Sequence, residues 1–136
     1  MISGARLALA APTLLASLIG RWRAPFSWYE ARQVQGTIEI VLVATCRTPD
    51  CLHEDHPNRP VFHGKLEGSR LIGLVPIGTA VESEQDGRHC ATPTGEFPAE
   101  GSLAEDGGTI SWKPVRIPVG EGCAPAGISL GTWRRG

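Results

Sequence analysis

Strong charge of either sign is missing from this chain. Its formal net charge is −1, from 13 basic and 14 acidic residues, and Lys65 and Lys113 are its only lysines. Charges this balanced and scattered form no basic patch of the kind that attracts nucleic acid or an anionic membrane surface. We therefore expect no nucleic-acid partner.

A long hydrophobic run is missing as well. The N-terminal apolar stretch LALAAPTLLASLIG, residues 7–20, is shorter than the about 20 residues that cross a bilayer comfortably. It is typical of the apolar core of a secretory signal peptide. The alternative is an uncleaved apolar helix that packs on the body or contacts a membrane. The sequence predicts residues 1–20 as a signal peptide or N-terminal anchor helix and residues 21–136 as a single β domain.

No helical pattern follows this segment. The 17 glycines and 11 prolines interrupt any helical periodicity, which favours an all-β body. The strongest strand spans residues 37–45, because it is rich in β-branched residues that partly alternate. Near its end both faces are apolar, with Ile40 and Leu42 on one and Val41 and Val43 on the other. We expect this strand to be covered on both sides there.

The first of two β-hairpins can be registered from its turn. Gly68-Ser69 is typical of a two-residue turn of type II′. This register pairs Glu67 with Arg70, Leu66 with Leu71, Gly64 with Gly73 and Phe62 with Val75. The outermost pair is then a cross-strand ion pair, and the facing glycines indicate a sharp bend or a close approach.

The second hairpin is predicted to turn at Asp106-Gly107 through a type I′ turn. This register pairs Leu103 with Ile110, Gly101 with Trp112 and Glu100 with Lys113, so that an aromatic ring covers a strand glycine. The inward residues of both hairpins should form one core, which comprises Phe62, Leu66, Leu71, Phe97, Leu103, Ile110 and Trp112.

The strand count defines the predicted fold class. With an entry strand at residues 28–34 and a short closing strand at residues 128–133, we expect about six to eight antiparallel strands. The predicted fold is all-β, a small antiparallel up-and-down barrel or a β-sandwich, preceded by the short N-terminal apolar segment.

Residues at both ends of the β domain carry a family resemblance. Gly20-Arg21-Trp22 precedes the first predicted strand and has the form of a G-x-W signature, and Arg134 and Arg135 follow the last strand. In this respect the chain resembles the lipocalin-like (calycin-type) small secreted β-barrel proteins, which place an arginine over that tryptophan. The resemblance implies a barrel with one open mouth and an apolar interior that holds a ligand.

The tryptophans are the candidate ligand-binding residues. Trp22, Trp28 and Trp112 are most simply core and lid aromatics, since a small barrel must fill its interior. The functional alternative is a ligand cavity lined by these three residues together with Arg134.

The cysteines are even in number and lie in or next to predicted loops, at Cys46, Cys51, Cys90 and Cys123. In an exported small domain such cysteines form two disulfides. We favour Cys46–Cys51 and Cys90–Cys123, with the crossed connectivities left open.

Two other chemistries compete for these cysteines. Cys46, Cys51, His53 and His56 supply the thiolates and imidazoles that zinc binds, and free thiols are the remaining option. A Cys/His-dependent enzyme needs a free thiol beside a base. Because we favour disulfides, we predict no metal, no cofactor and no catalytic residues.

The sequence therefore predicts a non-enzymatic domain that acts by binding. We expect it to be exported, periplasmic or secreted, and to bind a small apolar ligand or a protein partner, with residues 7–20 as the segment for any membrane contact. The alternatives are a membrane-tethered accessory subunit of a larger complex and a zinc-binding or Cys/His-dependent enzyme.

Overall fold

The structure is a computed structural model that describes residues 11–45 and 58–136. Within these ranges the elements are α1 (Ala11–Leu18), β1 (Gly20–Ala24), β2 (Ser27–Val34), β3 (Thr37–Thr45), β4 (Arg59–Glu67), β5 (Arg70–Ile77), β6 (Glu82–Gln85), β7 (Arg88–Ala91), β8 (Gly95–Leu103), β9 (Thr109–Trp112), β10 (Val115–Ile117), β11 (Ala126–Ile128) and β12 (Thr132–Arg135).

The main sheet is a closed antiparallel barrel. Its strands follow the order β1-β2-β3-β4-β5-β8-β9-β12, and β12 pairs back with β1. The β6–β7 and β10–β11 hairpins form two-stranded sheets of their own. We call the end from which these two hairpins emerge the mouth, and the opposite end, which α1 covers, the base. The all-β prediction is confirmed, and the barrel is the correct one of its two alternatives.

Two strand predictions need correction at the chain ends. The first strand begins at Gly20 rather than after Trp22, although the entry strand predicted at residues 28–34 corresponds to β2. Residues 128–133 do not form a single closing strand. Ile128 ends β11 and pairs with Val115, while Gly131, with φ of 76°, turns the chain into β12. A glycine readily adopts this left-handed conformation. The alternating apolar residues of 128–133 therefore belong to two sheets, with the turn at Gly131 between them.

The first hairpin has the predicted register. Gly68 has φ of 62°, as the first central residue of a type II′ turn requires, and Gly64 pairs with Gly73. A Cβ on either glycine would clash with the facing backbone, so the two strands approach here as only glycine permits. Glu67 faces Arg70 as predicted, but the guanidinium of Arg70 donates its hydrogen bond to the carboxylate of Glu100, at 2.6 Å.

The second hairpin has the predicted register but a different turn. Leu103 pairs with Ile110, and a Cβ on Gly101 would lie 2.8 Å from the Trp112 ring that covers it. The loop is longer than a type I′ turn, since the Ala104 amide donates to the carbonyl of Thr109 at 2.8 Å. Longer hairpin loops are usually built around a type I turn.

Type I′ turns occur at two other hairpins. Gln35-Gly36 joins β2 to β3 and Asp86-Gly87 joins β6 to β7, with φ values of 51° and 81° in the first pair and 51° and 77° in the second. Both central residues are left-handed, which defines this turn type.

The predicted core is confirmed. Phe62, Leu71, Leu103, Ile110 and Trp112 are buried in one cluster, and Leu66 and Phe97 pack against it half-buried. Val41 and Val43 are buried as well as Ile40 and Leu42, so β3 is covered on both faces as expected.

The base of the barrel is closed by α1 and the C-terminal strand. Leu14 and Leu18 of α1 belong to the core cluster, and the Trp22 indole Nε1 donates to the carbonyl of Leu18 at 2.7 Å. The Arg135 guanidinium lies 5.2 Å from the centre of the Trp22 ring and donates to the carbonyl of Ile19 at 2.9 Å. Nowhere in residues 11–45 and 58–136 is a helix long and apolar enough to cross a bilayer.

Candidate ligand-binding site

Aromatic rings fill the middle of the barrel. Tyr29 stacks on Trp133 with ring centroids 4.0 Å apart, and Trp112 lies 5.0 Å from Trp133 and 5.1 Å from Phe62. Burial raises the pKa of Tyr29, against smaller opposing effects of its hydrogen bond with Ser27 and of a nearby positive charge. Because these rings pack closely, the centre of the barrel is filled by side chains.

The four residues predicted to bind a ligand are not brought together. Trp22 is fully buried at the base and Trp112 lies in the core. Trp28 lies on the outer side of β2 with the Arg23 guanidinium 5.2 Å from its ring centre. Arg134 is exposed on β12, and its neighbour Arg135 is the arginine over Trp22. The binding role of these four residues stays a prediction.

One of the two favoured disulfides is present. Cys90 and Cys123 are bonded, with their Cα atoms 6.2 Å apart. Cys46 and Cys51, like His53 and His56 of the zinc alternative, lie outside the described residues. Within the described ranges no group of three or more His, Cys, Asp or Glu side chains is placed to hold a metal ion.

A cavity of about 680 Å³ opens at the mouth, between the rim of the barrel and the β6–β7 and β10–β11 hairpins. The rim contributes residues from the start of β4 and the end of β5. The β10–β11 hairpin covers it from above, and the segments flanking the β6–β7 hairpin close its side. Its wall is mainly apolar and includes Val61, Val75, Ile77, Ile117, Ile128 and Leu130. This volume is in the range of sites that bind small molecules.

A β-bulge turns Arg59 toward this cavity. Ile40 pairs with Phe62 but the next residue of β3, Val41, pairs with Pro60, so Val61 is the extra residue of the bulge. Past the bulge, Leu42 pairs with Arg59 and also with Tyr29. Directly opposed residues of an antiparallel pair lie on one face of the sheet.

That face is the inner one, because Tyr29 stacks on the buried ring of Trp133. The electrostatics agree with an inward position of Arg59. Burial is the dominant effect and raises the pKa of Tyr29, and the positive charge of Arg59 is one of the smaller effects that lower it. Without the bulge, strict alternation from the inward Phe62 would turn Arg59 outward. Bulges commonly re-aim a side chain in this way.

The two hairpins at the mouth are fastened to each other. The disulfide joins Cys90 of β7 to Cys123 in the loop between β10 and β11. Close to it, the Ala124 amide donates to Gln85 Oε1 at 2.7 Å, and Gln85 Nε2 donates to the Ala124 carbonyl at 3.4 Å. These links fix the cover of the cavity relative to its side wall.

Several ionisable groups form ion pairs on the outside of the barrel. His63 lies 2.6 Å from Glu96 and His89 lies 3.5 Å from Glu82, and none of these residues lines the cavity at the mouth. Glu100 accepts from Lys113 at 2.7 Å and from Arg70 at 2.6 Å. These two hydrogen bonds lower the pKa of Glu100, and the one from Lys113 has the larger effect.

A second cavity of about 440 Å³ lies at the base, beside α1 and the β2–β3 and β4–β5 turns. Its residues include Leu15, Ile38 and Leu66, together with the polar Gln33 and Lys65. It is smaller and less apolar than the cavity at the mouth, which is therefore the better candidate for a ligand site.

Comparison with known proteins assigns no family to the chain. A scan against protein-family models, a search of curated proteins and a search of solved structures each found no match. The closed eight-stranded antiparallel barrel is the architecture that the lipocalin-like resemblance implies, and the finer family assignment remains an expectation from sequence.

Proposed function

We propose that this protein is a non-enzymatic binding domain that holds a small apolar ligand in the cavity at the mouth of its barrel. The observation that carries the proposal is the cavity itself, which has an apolar wall and about 680 Å³ of volume. It differs from the lipocalin-like expectation in one respect. The ligand would lie above the aromatic core and under the β10–β11 hairpin, because rings occupy the centre of the barrel.

The positions of the reactive side chains support a binding role rather than a catalytic one. The described histidines, His63 and His89, are exposed and paired with carboxylates outside the cavity. The described cysteines, Cys90 and Cys123, are joined to each other, and a disulfide sulfur is not a nucleophile of the thiolate kind.

The disulfide also supports export. Disulfides form and persist in oxidising compartments and are rare in the cytosol, so Cys90–Cys123 favours a periplasmic or secreted protein. This is the compartment that the N-terminal apolar segment predicts.

Ligand binding can be tested with the neutral dye Nile red, whose fluorescence rises in apolar surroundings. Val81 lines the cavity and is 64% exposed, so Val81→Glu places a charge there without disturbing the core. Val34 is 43% exposed at the end of β2 and outside the cavity, so Val34→Glu is the matched control.

We expect the parent and Val34→Glu to bind the dye equally, and Val81→Glu to bind it at least about fivefold more weakly, because a charged, hydrated side chain in the wall makes the cavity less favourable for an apolar dye. Absence of dye binding to the parent, or equal binding by all three proteins, would contradict the proposal.

The packing of α1 favours a second possibility for the N-terminus. Leu14 and Leu18 are 7% and 0% exposed in the core cluster, and the Trp22 indole is bonded to Leu18. Cleavage after residue 20 would remove all of these contacts, so their presence favours the alternative of a retained N-terminal segment and a tethered accessory subunit. The intact mass of the protein from its native source distinguishes the two, because signal-peptide cleavage removes about 20 residues.

A further inference from the structure

The described lining of the cavity at the mouth is almost free of charge. Among the described residues that line it, Arg59 is the only charged one, and the other polar side chains there are Thr79 and Thr92. The Thr92 hydroxyl oxygen already accepts from the amide of Val81 at 2.7 Å, which leaves its O–H as a donor. The polar groups of the cavity therefore offer hydrogen bonds and positive charge.

Arg59 has no carboxylate partner of its own in the described part of the chain. Arg21, Arg32 and Arg70 each form an ion pair with a glutamate, namely Glu30, Glu39 and Glu100. Arg59 forms no ion pair in residues 11–45 and 58–136, and it is exposed at the rim. A cation at the edge of an apolar cavity, turned to the inner face by a bulge, is complementary to an anion attached to an apolar body.

The geometry points to a specific class of ligand, and this inference rests on the proposed function. We propose that the cavity binds a carboxylate-headed amphiphile, with its apolar chain against the wall formed by residues such as Ile77, Ile117 and Ile128, and its carboxylate on the Arg59 guanidinium. The planar guanidinium matches a carboxylate with two parallel hydrogen bonds. One cation suits a single negative charge, which favours a carboxylate over a doubly charged phosphate.

The experiment compares two ligands of the same chain length, decanoate and decanol, in displacing Nile red from the full-length chain. The variant is Arg59→Gln, which keeps a polar side chain without the charge. Arg70→Gln is the matched control, since Arg70 is exposed at the base end of β5 and outside the cavity.

We expect Arg59→Gln to weaken decanoate binding about five- to tenfold and to leave decanol binding unchanged, which corresponds to the loss of one charge-assisted contact. Added salt should weaken decanoate binding to the parent more than to Arg59→Gln, because the ion pair is exposed to solvent. Arg70→Gln should match the parent with both ligands.

Each alternative outcome has a distinct meaning. If both ligands bind but Arg59→Gln changes the decanoate-to-decanol ratio no more than Arg70→Gln does, the anionic head group is refuted and the proposed function stands. If neither ligand displaces the dye and the dye itself fails to bind, both proposals are refuted. Equal weakening of both ligands by Arg59→Gln also refutes the head-group assignment.

Discussion

Two buried tryptophans differ in one hydrogen bond, and this difference predicts unequal costs for the same substitution. The Trp133 indole Nε1 donates to the carbonyl of Leu130 at 2.7 Å. The Trp112 indole Nε1 is buried without an acceptor among the described residues. The residues are otherwise similar, with exposed fractions of 0% and 8% and ring centroids 5.0 Å apart. Replacement by phenylalanine therefore removes a donor that is bonded at one site and unbonded at the other.

The magnitudes follow from what each substitution removes. The smaller ring costs about 1–2 kcal/mol of burial and packing at either site. Trp133→Phe also loses a hydrogen bond and leaves the Leu130 carbonyl without its donor, which adds about 1–2 kcal/mol. Trp112→Phe removes an N–H that is buried unpaired, and this relieves a desolvation cost of about 1–3 kcal/mol. We expect Trp133→Phe to cost roughly 2–4 kcal/mol and Trp112→Phe less than about 1 kcal/mol.

Equilibrium unfolding in urea, followed by far-ultraviolet circular dichroism, measures both free energies without relying on tryptophan fluorescence. The comparison requires equal denaturant slopes, since a changed slope indicates a changed unfolded or folded state. A cost of Trp112→Phe equal to or above that of Trp133→Phe would refute the reasoning, because it would mean that the Trp112 N–H is as well bonded as that of Trp133.

Three further predictions concern a turn, the disulfide and a surface carboxylate. Gly107→Val should destabilise the fold by more than about 1 kcal/mol in urea unfolding, because Gly107 has φ of 75° and a β-branched residue resists it, whereas Gly127→Val in open space should cost little. A thiol reagent should label neither Cys90 nor Cys123 in denaturant without reductant, and Cys90→Ala with Cys123→Ala should cost up to roughly 4 kcal/mol, as closure of a loop with sequence separation 33 implies. Glu100→Gln should be less stable than the parent at pH 7, and this gap should close as the pH falls below the ordinary Glu value of 4.5, because a lowered pKa in the fold stabilises only the ionised form.

Each of these has a contradicting result. Equal free energies of unfolding in urea for Gly107→Val and Gly127→Val would show that the second hairpin does not need a left-handed residue at its turn. Labelling of Cys90 and Cys123 would show free thiols. A gap between Glu100→Gln and the parent that is as large at pH 3 as at pH 7 would show that packing, rather than the hydrogen bonds from Lys113 and Arg70, accounts for the role of Glu100.

Local sequence signals were sufficient for the hairpins. The glycine at position 68 and the Asp-Gly pair at 106–107 gave the correct registers of β4–β5 and β8–β9, because a turn and alternating apolar residues fix which residues face each other. The type of the second turn could not be obtained in the same way. A shift from a two-residue to a longer loop preserves the register, so the pairing does not depend on it.

The candidate site could not be obtained from local signals. Arg59 reaches the inner face only because Val61 is an extra residue in β4, and the residues around Pro60 carry no local signal of this bulge. The cavity walls combine the β4–β5 hairpin with the β10–β11 hairpin, which lies far from it in the chain. The apolar pattern at residues 128–133 gave no sign that its halves join different sheets.

The sequence by itself determined the all-β class, the two hairpin registers, the inward set around Leu103 and the Cys90–Cys123 pairing among its favoured options, because each depends on neighbouring residues or on small numbers of partners. Only the tertiary structure decided that the sheet closes on itself, that Arg135 rather than Arg134 lies over Trp22, and that the larger cavity lies above the aromatic core. These depend on β12 pairing with β1 across more than a hundred residues, and such long-range closure is selected by the packing of the whole core rather than by any segment.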